Sequence, residues 1–266
     1  MVKKALLIGI NYKSTQFELF GCINDVNDMA KQLAVYGFTA PVILTDDTVV
    51  KPTRKNIEDA INNLVTGTKS GDILVFHYSG HGSLVKDTNG DEVSGYDGAM
   101  IPLDYATGGI ILDDQMRTIL CEKVPAGVKL FGIMDCCHSG TSFDLRYLYN
   151  DSSRPIVPVR LNSPYLTNQW SLRQILAEYK KYAVTKGNVV MLSACMDQQQ
   201  AADAYINGKG CGALTACLLD TLKVTAKPKW KNLLKDVHCR LILRGFPQIP
   251  QLSCGQNVFT EDQLFL

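Results

Sequence analysis

Asp72-Ile-Leu-Val-Phe-His-Tyr-Ser-Gly-His-Gly82 and Val128-Lys-Leu-Phe-Gly-Ile-Met-Asp-Cys-Cys-His-Ser-Gly140 are the two stretches that decide how this chain folds. Each starts as an apolar run of strand length and breaks into a short polar loop containing glycine. A run that stays apolar instead of alternating is buried on both faces, as strands of a parallel sheet are. Placed in one parallel sheet, both strands release their loops at the same carboxyl edge, where open α/β sheets hold their ligands.

The flanking sequence fits such a sheet. Lys4 to Ile10 reads as a first strand, and Val26, Met29, Ala30 and Leu33 then repeat with the spacing of one helix face, capped by Asn24 or Asp25. Pro41 to Leu44 makes a short strand. Ile57, Ala60, Ile61, Leu64 and Val65 mark a second helix behind Thr53. Further on come a strand at Asn188 to Ala194, helices over Ala213 to Leu222 and Trp230 to Leu241, and a last strand near Gln251 that closes the sheet. Between Arg146 and Lys186, Pro155, Pro158 and Pro164 fall among Ser, Asn and Arg, with one helix around Trp170 to Tyr182, which reads as a long exposed connection. The expected fold is one compact α/β domain with a mainly parallel central sheet and helices on both faces, organised as 1–145, the connection 146–186, and 187–266.

Composition narrows the function. Lys and Arg total 27 against 26 Asp and Glu, with no basic stripe to collect phosphates, so nucleic acid is not an expected partner. Nine cysteines without a CxxC pair suit reduced thiols better than a disulfide framework or a thiolate zinc site. The apolar run Ala5 to Ile10 is too short for a signal segment or a membrane span, so a cytoplasmic protein without membrane association is expected.

The chemistry sits in the two loops. A cysteine nucleophile needs a base to form thiolate and an acid to protonate a departing amine, and one histidine serves both needs. His81 and Cys137 each lie just past a strand end on the expected common edge. Gly80, Gly82 and Gly140 let a peptide approach closely, and N–H groups near Gly82 and Cys137 are candidates for holding the oxyanion. Taken singly, each has a plainer reading: a lone Cys is a small hydrophobe, and a lone His at a strand end is more often structural. His77 and His81 also have the i, i+4 spacing of a zinc helix, but the Glu that would follow the first His is absent and the segment reads as strand.

His77-Tyr-Ser-Gly-His-Gly82 and Asp135-Cys-Cys-His-Ser-Gly140, about 55 residues apart, resemble the paired signatures of metacaspases, within the caspase-like clan of cysteine peptidases. Leu192-Ser-Ala-Cys-Met-Asp-Gln-Gln-Gln-Ala-Ala-Asp203 and Gly210-Cys-Gly-Ala-Leu-Thr215 resemble that family's small-subunit motifs. Their order, with a connection of about 40 residues, resembles the type I arrangement; 1–145 then corresponds to a large-subunit-like region and 187–266 to a small-subunit-like one. The resemblance implies Cys137 rather than Cys136 as nucleophile, protein or peptide substrates, and a monomer. A silent scaffold of the same fold would be expected to lack the Cys or the His, and both are present.

Two carboxylates near the nucleophile, Asp135 and Asp25, would suit a basic side chain and repel an acidic one, although Asp25 also reads as a helix cap. The resemblance implies that Cys22, Asp25, Ser79 and Asp135 form the pocket for Arg or Lys before the cleaved bond. Asp97, Asp113, Asp114 and Asp144 are hard oxygen ligands; by spacing alone Asp113 reads as a helix N-cap and Asp144 as a loop residue, whereas the resemblance implies that the four bind Ca²⁺. An enzyme with this specificity would find targets in its own connection, and Lys180, Lys181 and Lys186 are the expected self-cleavage sites.

Overall fold

The computed structural model describes residues 1–88, 95–140, 142–149, 184–197, 199–206, 208–256, 263, 264 and 266. In chain order its elements are β1 (Lys3–Gly9), α1 (Cys22–Val35), β2 (Val42–Thr45), α2 (Arg54–Val65), β3 (Ile73–Ser79), β4 (Gly82–Lys86), β5 (Tyr96–Met100), the single turn α3 (Tyr105–Gly108), β6 (Ile111–Leu112) and α4 (Asp113–Ile119). There follow β7 (Lys129–Asp135), β8 (Tyr147–Tyr149), β9 (Asn188–Ser193), β10 (Asp203–Ile206), β11 (Lys209–Gly212), α5 (Ala213–Val224), α6 (Trp230–Leu243) and β12 (Gln251–Cys254).

The central sheet runs β2-β1-β3-β7-β9-β12-β8. The first five strands are parallel, and β12 and β8 are antiparallel to their neighbours. Strand side chains alternate between faces, so two cores form. Val75, Phe131, Ile133, Val190 and Leu192 pack with α1, α5 and α6. Leu74, Phe76, Leu130, Val189 and Met191 pack with α2 and the α4 region on the other side. Two layers of helix on one sheet explain why the strands read as unbroken apolar runs. Ser79 pairs with Asp135 in register at the carboxyl ends of β3 and β7, which brings the two decisive loops side by side.

Three readings change. Asn24 and Asp25 do not cap α1, whose cap position is Gly21; both lie in its first turn, and the Asp25 carboxylate reaches across to other elements. Thr53, by contrast, does cap α2, accepting from the Asn56 N–H at 3.3 Å. Asp113 is the first residue of α4 and not its cap, which is Leu112. The strand at Gln251 does not close the sheet: Tyr147–Tyr149, within the expected exposed connection, pairs outside it as the edge strand. The helix expected around 170–182 lies outside the described residues. Two small antiparallel additions, β4-β5-β6 and the hairpin β10-β11, were not anticipated. The first follows directly from the His81 loop and the hairpin follows β9 and its loop, and both border the site.

Candidate active site

His81 is held from both sides of its backbone. Its N–H donates to Tyr12 Oη at 3.0 Å, and its carbonyl accepts from Tyr78 Oη at 2.7 Å, while the two phenols lie 3.1 Å apart. Gly80 makes this possible, since a β-carbon there would lie 2.7 Å from Tyr78 Oη. The Tyr12 ring packs on the imidazole at 4.7 Å between centroids. Burial pushes both phenols well above the ordinary tyrosine range, so they remain neutral donors. Nε2 of His81 is 2.7 Å from the Phe17 carbonyl. A carbonyl only accepts, so Nε2 donates to it, and Nδ1 is the nitrogen left to exchange a proton with a reacting group.

Cys137 stands two residues beyond β7, partly exposed, and its Sγ accepts from the Ala201 N–H at 3.3 Å. Desolvation raises the thiol pKa, and the contact with Ala201 opposes that rise. Neither His81 nor Cys137 bonds to the other among the described residues, a separation common before substrate arrives. Cys136 is buried, its thiol pushed well above the ordinary range by burial, and it packs with Met134 and Tyr78. Gly82 touches the Cys137 carbonyl so closely that a β-carbon would sit 2.0 Å from the oxygen. The Gly82 and Cys137 backbones named for the oxyanion are therefore adjacent. His138 takes a positive φ of 54° and bonds through Nδ1 to the Asp197 carbonyl at 2.5 Å, tying the nucleophile loop to the loop after β9.

The four residues expected to form the pocket, Cys22, Asp25, Ser79 and Asp135, also come together. Ser79 Oγ donates to Asp25 Oδ2 at 2.7 Å, and the Gly212 N–H donates to both Asp25 oxygens at 2.8 and 3.0 Å. The Thr215 N–H donates to Asp135 Oδ2 at 2.7 Å. A β-carbon on Gly212 would lie 2.2 Å from Asp135 Oδ2 and 2.8 Å from Asp25 Oδ2, so both carboxylates border that glycine. Cys22 is buried beside them, its thiol raised first by burial and then by the Asp25 charge. Burial, and then mutual repulsion with Asp135, raises Asp25 well above the carboxylate range; burial raises Asp135 to about 6 against the pull of its Thr215 bonds. Sequence reasoning missed Asp203, which faces Gly212 across the β10-β11 hairpin and accepts from the Phe20 N–H at 2.7 Å. Its charge acts on Cys22, Asp25 and Asp135. The hairpin and the Phe20 contact, neither visible in the sequence, link it to the others.

Of the expected calcium ligands, Asp113, Asp114 and Asp144 offer carboxylate oxygens within 4.8 Å of one another. Asp97 lies outside that group but next to it, because Gly98 donates its N–H to Asp113 Oδ2 at 2.8 Å. Three converging carboxylates fit a hard cation. A β-carbon at Gly98 would be 3.1 Å from Asp113 Oδ2 and 3.6 Å from the His138 carbonyl, so the acidic group borders the nucleophile loop. His77, by contrast, is buried with Nε2 bonded to Thr215 Oγ1 at 3.1 Å, and burial lowers its pKa to about 3. His77 and His81 thus address different partners, which does not suit a shared zinc ion. Lys186 is exposed, with its carbonyl bonded to Gln256 at 3.0 Å; Lys180 and Lys181 lie outside the described residues.

A partly exposed thiol and an imidazole just past neighbouring strand ends, at the carboxyl edge of a parallel sheet, are the arrangement of a cysteine hydrolase. Residues 3–146 match the family model described as metacaspase, peptidase C14 domain. The chain is 35% identical to Metacaspase-1 of Schizosaccharomyces pombe over 95% of its length and 67% of that protein's. It is 37% identical to Metacaspase-1 of Mycosarcoma maydis, covering 96% of this chain and 71% of that one. Against Metacaspase-1 of Coccidioides immitis it is 35% identical over 97% of the chain and spans 62% of that relative's length. A crystal structure of a protein from Geobacter sulfurreducens superposes with a TM-score of 0.67 at 26% identity, covering 98% of this chain and 97% of that one. The chain belongs to the metacaspase family of cysteine peptidases, and its fold is the caspase-like α/β fold. Among the described residues, no helix is long and apolar enough to cross a membrane.

Proposed function

We propose that this chain is a calcium-dependent cysteine endopeptidase that cuts after Arg or Lys. The observation carrying the specificity is the pair of buried carboxylates bordering Gly212: Asp25 in α1, and Asp135 at the end of β7, two residues before Cys137. Desolvated acids that resist ionising when alone gain most from a guanidinium or ammonium partner, and they exclude an acidic side chain. Asp203 adds a third carboxylate at the exposed side of this pocket.

In the proposed reaction His81 Nδ1 takes the Cys137 proton, and the thiolate adds to the scissile carbonyl. The N–H groups of Gly82 and Cys137 hold the resulting oxyanion. As the C–N bond breaks, His81 returns the proton to the departing amine, leaving an acyl-thioester. Water, deprotonated by His81, releases the acid and restores the thiol. The Phe17 carbonyl keeps the imidazole in the required tautomer throughout.

Asp113, Asp114 and Asp144, with Asp97 adjacent, would hold the calcium ion. Its positive charge would favour the loop arrangement in which Gly98 and the His138 carbonyl sit against the acidic group. The same enzyme acting on its own connection would use Lys180, Lys181 or Lys186. In this reading the functional unit is a monomer, cytoplasmic, free of nucleic acid and membrane. Cleavage of matched peptides differing only in Arg, Lys or Asp before the scissile bond, with calcium or chelator, tests this reading. Arg and Lys peptides cut only with calcium support it; preferential cleavage after Asp contradicts it.

A further inference from the structure

We infer that Phe17 and Tyr105 form the subsite for the first residue after the scissile bond, and that this subsite selects an apolar or aromatic side chain there. The chemistry fixes the direction. The nitrogen that His81 protonates belongs to that first departing residue, so the residue must lie against the imidazole when the bond breaks. One face of the imidazole is closed by the buried Tyr12 ring. The Phe17 ring meets it edge-on at 6.4 Å between centroids, and the Tyr105 ring meets Phe17 edge-on at a further 6.4 Å. Phe17 is 47% exposed, although its backbone is fixed. The two rings therefore continue outward from His81 as an aromatic wall beside the path of the leaving chain.

This wall is built in advance. Thr15 Oγ1 donates to the Tyr12 carbonyl at 2.7 Å and accepts from the Phe17 N–H at 3.2 Å, and the Leu19 N–H returns to the Asn11 carbonyl at 2.8 Å. On the other side the Tyr105 N–H donates to the Pro102 carbonyl at 3.1 Å, and the Leu103 N–H to the Pro52 carbonyl at 2.9 Å. A preorganised aromatic surface loses little entropy on binding and gains by covering apolar area. Phe17 thus has two separable parts: its carbonyl orients His81, and its ring meets the substrate. Substitution of the side chain leaves the carbonyl in place.

The test uses the whole chain and a complex peptide mixture, with new N-termini sequenced after digestion. Each new N-terminus reports the residue after the cut, independently of the residue before it. The wild type is expected to enrich Leu, Ile, Phe or Tyr at that position about tenfold over Gly and Asp, the discrimination an apolar pocket ordinarily gives. Phe17→Ala is expected to flatten the enrichment and Phe17→Leu to retain much of it. Should Phe17→Ala yield no products, Tyr105→Ala decides in the same way. A flat profile from the wild type, or a profile unchanged in Phe17→Ala, overturns the inference. Cuts not preceded by Arg or Lys, yet followed by apolar residues, would instead defeat the proposed specificity and leave this subsite standing.

Discussion

Gly82 and Cys137 are in backbone contact: a β-carbon on Gly82 would fall 2.0 Å from the Cys137 carbonyl oxygen and 3.2 Å from Cys136 Sγ. The obstacle is main chain, which cannot swing aside as a flexible side chain would. Gly82→Ala must therefore displace the β3–β4 loop, and with it one of the two N–H groups assigned to the oxyanion. Loss of one such donor ordinarily costs about 10²- to 10³-fold in kcat. Steady-state kinetics on Gly82→Ala, with circular dichroism to confirm the fold, should give a loss of that size mainly in kcat. Activity within a few-fold of wild type would remove Gly82 from the oxyanion site.

In the proposed pocket for a basic side chain, Asp25 and Asp135 should make substrate binding depend on pH with a definite sign. Both hold their protons to higher pH than a free aspartate, Asp135 to about 6. In the empty protein the folded state therefore binds more protons than the unfolded one from about pH 4 upward, and these two groups make stability fall as pH rises through about 6. A bound guanidinium favours the ionised forms and reverses the effect. Inhibition by a simple guanidinium compound should strengthen by up to about tenfold per pH unit between about pH 5 and 7, one proton being released on binding. Asp135→Asn should flatten that profile. An inhibition constant that does not vary over this range would contradict a paired-acid pocket.

Much of this was legible in the sequence, and the exceptions have physical causes. β1, β3 and β7 declare themselves because two helical layers bury both faces, leaving no polar position to interrupt the run. The edge shared by His81 and Cys137 follows from parallel pairing alone. Asp25 misled because Asp near the start of a helix is usually a cap; here its partners, Ser79 and Gly212, are 54 and 187 residues away. Asp203 and Tyr12 gave no signal for the same reason, since each acts through contacts that only tertiary structure creates. β8 is three residues long and β4 is half polar, too little pattern for a period to show.

Calcium at Asp113, Asp114 and Asp144 should raise thermal stability as well as activity. A ligand at about one hundred times its dissociation constant stabilises the folded state by about 2.7 kcal/mol, which for a chain of this size raises Tm by several degrees. Differential scanning calorimetry with calcium and with chelator should show that rise in the wild type and lose it in Asp114→Asn, the half-buried member of the group. Equal Tm values in calcium and chelator for the wild type would count against a site at these residues.

Covalent capture tests the central claim most directly, because it asks which atom is the nucleophile and which side chain the pocket accepts. A chloromethyl ketone peptide ending in Arg, incubated with the calcium-loaded protein and followed by intact mass and peptide mapping, should add one label, on Cys137. Cys136→Ala should label as the wild type does, Cys137→Ala should not label, and His81→Ala should label far more slowly. The matching reagent ending in Asp should react poorly. A label on Cys136 or any other cysteine, or faster reaction of the Asp reagent, would contradict the account.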